Sequence, residues 1–261
     1  MKRYFKLYLF FIKFSASKLM EFRLDFAFRI FMDVIFAFIN IFFFKILFLH
    51  TNTLGGLTEP QIMVFVATHL FIDALIMTFL ANNIWFLPHY INRGDLDYYV
   101  TRPVSPQFFL FFRDISVSSF INLILNIGIL IWALSLNTNY ELPNIFKYVF
   151  LFINGVTLYF CFRMLFILPV FWVQSSRGFD EAFYNLEVVA ERPDTIFKGF
   201  TKKIFSSIIP MAIIASYPTR ALFGKLENWE LINAFGVTLF FFILMQLMWR
   251  AGLKSYTSAS S

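Results

Sequence analysis

The sequence predicts an all-α polytopic membrane protein with six transmembrane helices. Of its 261 residues, 59% are hydrophobic and only 15% are charged, and the mean hydropathy is +0.69. A water-soluble domain of this size could not cover so much apolar surface. Several apolar runs approach the roughly 20 residues that a helix needs to cross a bilayer core of about 30 Å. These runs are too long and too continuous for the alternating strands of a membrane barrel.

The apolar runs between polar breaks define the spans within one transmembrane domain over residues 1–261. The six predicted spans cover about 26–49, 62–87, 115–136, 146–173, 204–222 and 231–250. Forty phenylalanines supply much of the apolar bulk, toward lipid and between helices. They carry no reactive chemistry.

The distribution of basic residues predicts the orientation. The first and third connections contain no Lys or Arg, whereas the N-terminus, the second and fourth connections and the tail are basic. The basic residues after the first span are Arg93, Arg102 and Arg113, then Arg177, Arg192, Lys198, Lys202 and Lys203, and finally Arg250 and Lys254. By the positive-inside rule both chain ends are cytosolic, and only Arg220 and Lys225 contradict this arrangement. In a membrane protein, the net charge of +6 is therefore no sign of nucleic-acid binding.

A helix at the cytoplasmic interface is predicted over residues 1–22, before the first span. One narrow helical face holds Lys2, Lys6, Lys13 and Ser17, and apolar side chains cover the rest. The alternative is a frayed basic tail.

A second cytoplasmic amphipathic helix is predicted within residues 174–203. Its apolar stripe consists of Phe179, Phe183, Leu186 and Ala190, and its acidic residues off that stripe are Asp180, Glu187 and Glu191. Pro193 interrupts the pattern.

Motifs for catalysis and nucleotide binding are missing from the sequence. It contains no phosphate-binding loop, nucleophile elbow or zinc-protease motif, and its single cysteine, Cys161, excludes an intramolecular disulfide. We therefore expect a non-enzyme that binds no metal and no cofactor, so any ATP-driven work would fall to a partner chain.

Asp33, His69, Asp73 and Arg163 lie well inside predicted spans, where an unpaired charge costs on the order of 3 kcal/mol. His69 and Asp73 share a helical face, which would suit a metal or a proton relay, although a His–Asp hydrogen bond within the bundle is the commoner arrangement. Predicted depth favours an ion pair between Arg163 and Asp33, with snorkelling of Arg163 to the head groups as the alternative. Asp33, His69 and Asp73 also define a second functional hypothesis, a proton-coupled secondary transporter.

The second connection, residues 88–114, is the most informative segment. Its helix-compatible run RGDLDYYV lies between Pro88 and Pro103 and is longer than a turn requires. We therefore expect an ordered docking element on the cytoplasmic side.

Residues 94–104, GDLDYYVTRPV, resemble the signature "G-x-L-D then R/K-P-V" of permease subunits of bacterial type-2 ATP-binding-cassette (ABC) transporters. Further pieces match the same family in order: the stretch 171–197, the runs IPMA at 209–212 and YPTRAL at 217–222 with Gly224, and the ending LKSY with SASS. The resemblance covers essentially the whole chain.

The resemblance implies a transporter in the bacterial cytoplasmic (inner) membrane, built from two permease subunits, identical or different, and two ATPase subunits that bind ATP and Mg. Exporters of lipids, drugs or polysaccharides share this architecture, and the Phe-rich faces would suit an amphipathic cargo in contact with membrane lipids. The resemblance also implies a coupling helix that docks on the ATPase. Its predicted residues are Arg93, Gly94, Asp95, Leu96, Asp97, Tyr98 and Tyr99.

The fifth predicted span contains helix-breaking residues near its outer end. Pro210, Pro218 and Gly224 would leave non-helical backbone, which a membrane tolerates only where it is buried or lines a wet cavity. We therefore expect a short re-entrant or interfacial element that forms part of an external gate.

Overall fold

The computed structural model describes residues 6–8, 10–11, 23–137 and 139–256. Over these ranges the protein is helical, and the only β-type pairing among them is an isolated bridge between Leu54 and Leu57. The predicted all-α class is confirmed. Most of the predicted interfacial helix over 1–22 lies outside the described residues, so it stays a prediction. Residues 6–8 and 10–11 are helical, and the Phe11 ring packs edge-on against Phe109.

The described helices follow one another with short connections. They are α1 (Arg23–Phe48), α2 (Glu59–Phe79), α3 (Ala81–Arg93), α4 (Asp97–Val100), α5 (Pro106–Phe112), α6 (Val117–Ser135), α7 (Leu142–Ile167), α8 (Val170–Val173), α9 (Arg177–Glu187), α10 (Gly199–Lys203), α11 (Ile213–Leu222) and α12 (Asn228–Ser255). A 3-10 turn at Asp194–Ile196 and a π-helical turn at Ile204–Ile208 separate α9, α10 and α11.

Four helical stretches are long and apolar enough to cross a membrane. They are Ala27–Phe48, Glu59–Phe79, Leu142–Val173 and Asn228–Ser255, and a shorter apolar helix covers Ser119–Ser135. These five correspond to the predicted first, second, fourth, sixth and third spans. The predicted second span ends earlier than expected, because the helix breaks at Leu80 and α3 continues beyond it.

The bundle has two ends, which hydrogen bonds between distant connections identify. At the connector end, which holds residues 94–105 and 174–176, the Asn92 amide donates to the Gln174 carbonyl at 2.8 Å. At the distal end, which holds residues 49–58 and 223–227, Lys225 Nζ donates to the Gly56 carbonyl at 2.8 Å. The Asn137 amide contacts the Pro60 carbonyl at the distal end as well.

Residues 174–196 run from one end of the bundle to the other. The segment starts at Gln174 on the connector end and passes along α7, where Asp180 binds Arg163 and Glu187 binds Tyr159. It reaches the distal end at Asp194, which binds Arg220. The prediction that 174–203 lies in the cytosol is therefore wrong, because no single side of a membrane can hold both ends of this segment. The predicted helix exists as α9, but its Asp180 and Glu187 side chains face α7.

Residues 199–222 form a re-entrant hairpin, not a span. The first arm carries Lys202 and the second carries Arg220, and both side chains bind Glu230 in the first turn of α12. Both arms therefore meet at the distal end. The predicted fifth span, 204–222, is wrong as a single crossing, whereas the expected re-entrant element is present and larger than foreseen. A total of six membrane crossings stays a prediction, in which residues 174–196 form the fifth crossing instead of residues 204–222.

The hairpin penetrates about half of the bundle. Its second arm packs on α7, where Gly155 lies against the Ile214 carbonyl. Gly155 is 13 residues after Leu142, the first residue of α7, or about 20 Å along the helix axis. Pro210 ends the first arm because it has no N–H for a helical hydrogen bond, and the Met211 amide donates instead to the Ile209 carbonyl at 2.6 Å.

The connector end is tied to the spans by polar contacts at the start of α6. The Asn83 amide donates to the Asp114 carbonyl at 2.7 Å, and the Asp114 backbone N–H donates to Asn83 Oδ1 at 2.9 Å. The Ser116 N–H donates to the Thr78 carbonyl. The second connection is therefore fixed to the junction of α2 and α3.

Candidate functional site

The predicted coupling residues form a compact unit at the connector end. Gly94 ends α3 with a φ of 81°, a conformation that suits glycine, and the Leu96 N–H then donates to the Tyr90 carbonyl at 3.1 Å. This turn leads directly into the single-turn helix α4. The chain reverses within three residues, so α4 packs against the end of the helix that precedes it.

Two apolar anchors hold α4 in place. Leu96 is fully buried and Tyr99 is 3% exposed. The Tyr99 ring lies 5.4 Å from the rings of both Tyr90 and Phe109, and its hydroxyl accepts a hydrogen bond from Arg113 Nη1. Burial raises the pKa of Tyr99 to about 12, so the phenol stays neutral at physiological pH.

The opposite side of the same unit is exposed. We call this surface, consisting of Arg93, Asp95, Tyr98, Val100 and Arg102, the connector face. Tyr98 is 53% exposed, and the Arg102 guanidinium lies 4.2 Å from its ring centroid. Aromatic and Arg side chains of this kind are enriched in protein–protein interfaces. Of the seven predicted coupling residues, Arg93, Asp95 and Tyr98 are thus available to a partner, whereas Leu96 and Tyr99 act as anchors.

A buried ion network closes the distal end. It consists of Asp194, Lys202, Arg220 and Glu230. The two terminal nitrogens of Arg220 donate to the two oxygens of Glu230 at 2.8 and 2.7 Å, and Nη1 also donates to Asp194 Oδ2 at 2.9 Å. Lys202 Nζ lies 3.2 Å from Glu230 Oε1 and 3.5 Å from Asp194 Oδ2. The network therefore contains two cations and two anions, and its formal charges sum to zero.

The network joins three parts of the chain that are distant in sequence. Asp194 and Glu230 are each 1% exposed and Arg220 is 7% exposed. The Asp194 N–H donates to Ser216 Oγ on the second arm of the hairpin. Burying these charges is tolerable because they are paired and hydrogen-bonded. The network therefore fixes both arms of the hairpin to the start of α12.

Sequence reasoning missed this network. Lys202 was expected in the cytosol and Arg220 on an external surface, and neither Asp194 nor Glu230 was a candidate. The one signal available was Arg220 itself, an unexplained cation beside an apolar run and against the positive-inside rule. Only the folded chain shows that the segment carrying Asp194 crosses the bundle to meet it.

The predicted gate residues all belong to the hairpin and its exit. Pro210 lies at the tip, Pro218 lies inside α11, and Gly224 follows α11 with a φ of 65°. The fold brings them into one element but does not place them side by side, since Pro210 is deep in the bundle and Gly224 is at the distal end. Their role in gating stays a prediction.

Arg163 pairs with Asp180 instead of Asp33. Its Nη2 donates to Asp180 Oδ1 at 2.7 Å, and its guanidinium lies 4.5 Å from the Phe183 ring centroid. At 3% exposure, Arg163 does not snorkel to a surface either. The predicted Arg163–Asp33 pair is wrong, because α9 lies beside α7 and places the Asp180 carboxylate next to Arg163. The packing of α9 on α7 is a tertiary contact, which the separate apolar runs of the sequence do not reveal.

His69 and Asp73 share a face of α2, as predicted, and both are half-buried. Over the described part of the chain they form no hydrogen bond with each other, so the expected His–Asp bond is not present. Asp33 is half-buried on α1. Among the described residues, no group of three or more His, Cys, Asp or Glu side chains could hold a metal ion.

An all-helical bundle with apolar spans, a half-depth re-entrant hairpin and an ordered connector at one end defines a multi-pass membrane protein. Residues 34–260 match the family described as ABC-2 family transporter protein, and the chain belongs to this family. It is a multi-pass permease of an ABC-2 transporter and not itself catalytic. No curated protein and no solved structure matches the chain significantly.

Proposed function

We propose that this chain is the membrane subunit of an exporter whose energy comes from separate ABC ATPase subunits docked on the connector face. The anchoring of α4 carries this proposal. Leu96 and Tyr99 are buried while Tyr98 and Val100, two large apolar side chains, are exposed at 53% and 46%. A surface patch that is held rigidly from beneath and combines aromatic, aliphatic and charged groups suits a protein partner.

The contacts of α4 supply a route for force into the spans. The Tyr99 hydroxyl accepts a hydrogen bond from Arg113, which follows α5. The backbone N–H and C=O of the neighbouring Asp114 are both hydrogen-bonded to the side-chain amide of Asn83 in α3. Displacement of α4 would therefore move α3 and the start of α6 together as packed bodies. In this proposal, closure of the ATPase pair on ATP and Mg pulls on the connector face and opens a path between two permease subunits.

The proposed orientation places the connector end in the cytosol of a bacterium, with the chain in its inner membrane. The connector end carries Arg93, Arg102 and Arg113 on the second connection and Arg250 and Lys254 near the end of α12. Together with the basic residues that precede α1 in the sequence, they outnumber the distal-end residues Lys198, Lys202, Lys203, Arg220 and Lys225, and so support a cytosolic connector end under the positive-inside rule. The hairpin would then open from the outside, where the ion network holds its two arms.

For the cargo, we propose an amphipathic or lipid-like molecule. The family likeness and the apolar helix faces favour such a substrate, because apolar contact imposes no fixed hydrogen-bond geometry. Both permease subunits of the complex could be copies of this chain, or one could be a different permease.

Co-purification with a co-expressed ABC ATPase tests the docking proposal. We expect the tagged permease to retain the ATPase, and the double variant Asp95→Lys with Tyr98→Ala to lose at least nine tenths of it. Glu59→Lys makes the same charge change as Asp95→Lys on an exposed residue at the distal end, and it should bind normally. Equal retention by all three proteins would contradict the proposal.

Transport in proteoliposomes separates the two functional hypotheses. An ABC exporter requires ATP and is inhibited by vanadate. Transport that is indifferent to vanadate, follows an imposed proton gradient and is lost on Asp73→Asn would instead favour the proton-coupled mechanism with His69, Asp73 and Asp33.

A further inference from the structure

A groove between α1 and α6 combines an apolar wall with one cation near its distal end. The cavity has a volume of about 670 Å³, and its lining includes Phe38, Phe42, Lys45, Leu125, Gly128 and Trp132. Phe38 and Phe42 stack with their ring centroids 5.7 Å apart. No polar side chain other than Lys45 belongs to this set, apart from the indole N–H of Trp132.

Lys45 and Trp132 lie at the same depth, close to the distal end. Lys45 is three residues before the end of α1, and Trp132 is three residues before the end of α6. The Lys45 Nζ lies 5.9 Å from the Trp132 ring centroid. Trp side chains are enriched at both interfaces of a membrane, and a Lys side chain near a helix end extends its ammonium group to the lipid head groups.

The groove continues from this level toward the middle of the membrane. Phe38 and Leu125 are each seven residues deeper than Lys45 and Trp132, which corresponds to about 10 Å along the helix axes. Gly128 leaves the wall open between them, because a Cβ atom added there would meet no heavy atom within 4 Å. The shape is that of a channel for one acyl chain with a cation at its mouth.

We propose that this groove binds an anionic phospholipid, with the acyl chain along Phe38 and Gly128 and the phosphate on Lys45. Within the described residues Lys45 makes no ion pair, so its charge is available to a ligand. A second copy of this chain packed here would bury the ammonium group at a cost unless it brought a carboxylate to the same level. A lipid phosphate group supplies the required negative charge at the same level of the membrane. The inference depends on the membrane fold and not on the ATPase partner.

Native mass spectrometry of the detergent-purified chain tests the site. The protein is incubated with equal amounts of phosphatidylglycerol and phosphatidylethanolamine of the same acyl composition. We expect phosphatidylglycerol adducts to predominate, and Lys45→Met to reduce them at least threefold. Lys147→Met removes another exposed lysine near the distal end, on α7, and should leave the adducts unchanged.

A second pair of variants tests the groove without changing any charge. Gly128→Phe fills the wall and should also reduce the adducts at least threefold, whereas Gly236→Phe, on an open face of α12, should not. Equal binding of the two lipids, or unchanged adducts in Lys45→Met, would overturn the proposal. The proposal would also be overturned if the chain formed a dimer that Gly128→Phe dissociated while the lipid adducts persisted. That result would show that a second copy of the chain occupies the groove.

Discussion

Gly155 of α7 lies directly against the backbone carbonyl of Ile214 in α11. A Cβ atom at position 155 would be 2.5 Å from that carbonyl oxygen. Ile214 O is also the helical acceptor that residue 218 would normally satisfy, but Pro218 has no N–H to donate. The glycine therefore lets α7 approach this carbonyl, which Pro218 leaves without its usual helical donor, closely enough for a weak Cα–H···O contact. This pair of residues fixes the depth of the second arm of the hairpin.

Gly155→Ala should destabilise the protein, because the new methyl group forces α7 and α11 apart. Overpacking of this kind costs about 1–3 kcal/mol, which corresponds to a fall in Tm of roughly 2–12 °C. Thermal unfolding in detergent, followed by tryptophan fluorescence, measures the change. Gly236→Ala is the matched control on an open helix face, where alanine should be neutral or slightly stabilising. An unchanged Tm in Gly155→Ala would mean that the two helices do not pack this closely.

Arg220→Met should be more damaging than any change at a surface residue, because it leaves the Asp194 and Glu230 carboxylates buried with only Lys202 nearby. Removal of one partner from a buried ion pair costs about 3–5 kcal/mol. Lys202→Met should cost less, since Lys202 is 31% exposed and its contacts are longer. Thermal unfolding of the two variants gives the comparison.

The double variant Arg220→Met with Glu230→Gln distinguishes charge from packing. If the damage comes from an uncompensated carboxylate, neutralising Glu230 should recover part of the stability that Arg220→Met loses. If instead the two changes add, the Arg220 side chain contributes through its packed aliphatic stem and the network is not an electrostatic latch.

An element of this fold could be predicted from the sequence only where local sequence properties determine it. The long apolar helices and an ordered connector were predictable, because length and hydropathy are local properties. The coupling helix expected over Arg93–Tyr99 is instead interrupted at Gly94, and only Asp97–Val100 forms a separate helical turn. Residues 174–196 were not predictable, since Asp180 and Glu187 make the segment too polar for a span. Their partners, Arg163 and Tyr159, are on another helix, and only tertiary contacts show that these polar groups are satisfied.

The hairpin was wrongly predicted as a single span for a related reason. Residues 204–222 are as apolar as a span, but hydropathy cannot distinguish one crossing from two half-crossings that return to the same side. The crossing by residues 174–196, which was not foreseen, replaces the false crossing by 204–222, so the number of spans and the side of the tail still agree with the positive-inside rule. Lys198, Lys202 and Lys203 were consequently assigned to the wrong end of the bundle.

Gly94→Ala should weaken ATPase retention without changing any residue of the connector face. Alanine at a φ of 81° costs about 1–2 kcal/mol, so the end of α3 would rearrange and displace the anchors Leu96 and Tyr99. Gly178→Ala is the control, since Gly178 lies in the first turn of α9 with open space around it. Co-purification of the ATPase provides the readout, and equal retention by both variants would show that docking does not depend on this turn.

The crossing by residues 174–196 predicts a specific pattern of chemical labelling. Cys161 is buried and is the only cysteine, so Cys161→Ala provides a background without thiols. In that background we expect Lys203→Cys and Thr53→Cys to react with a membrane-impermeant maleimide from one side of the membrane. Arg177→Cys and Asp95→Cys should react only from the other side.

If residues 174–203 were a single cytosolic segment, positions 177 and 203 would instead react from the same side. Labelling of intact cells before and after permeabilisation decides between the two topologies, and it simultaneously shows which end of the bundle faces the cytosol.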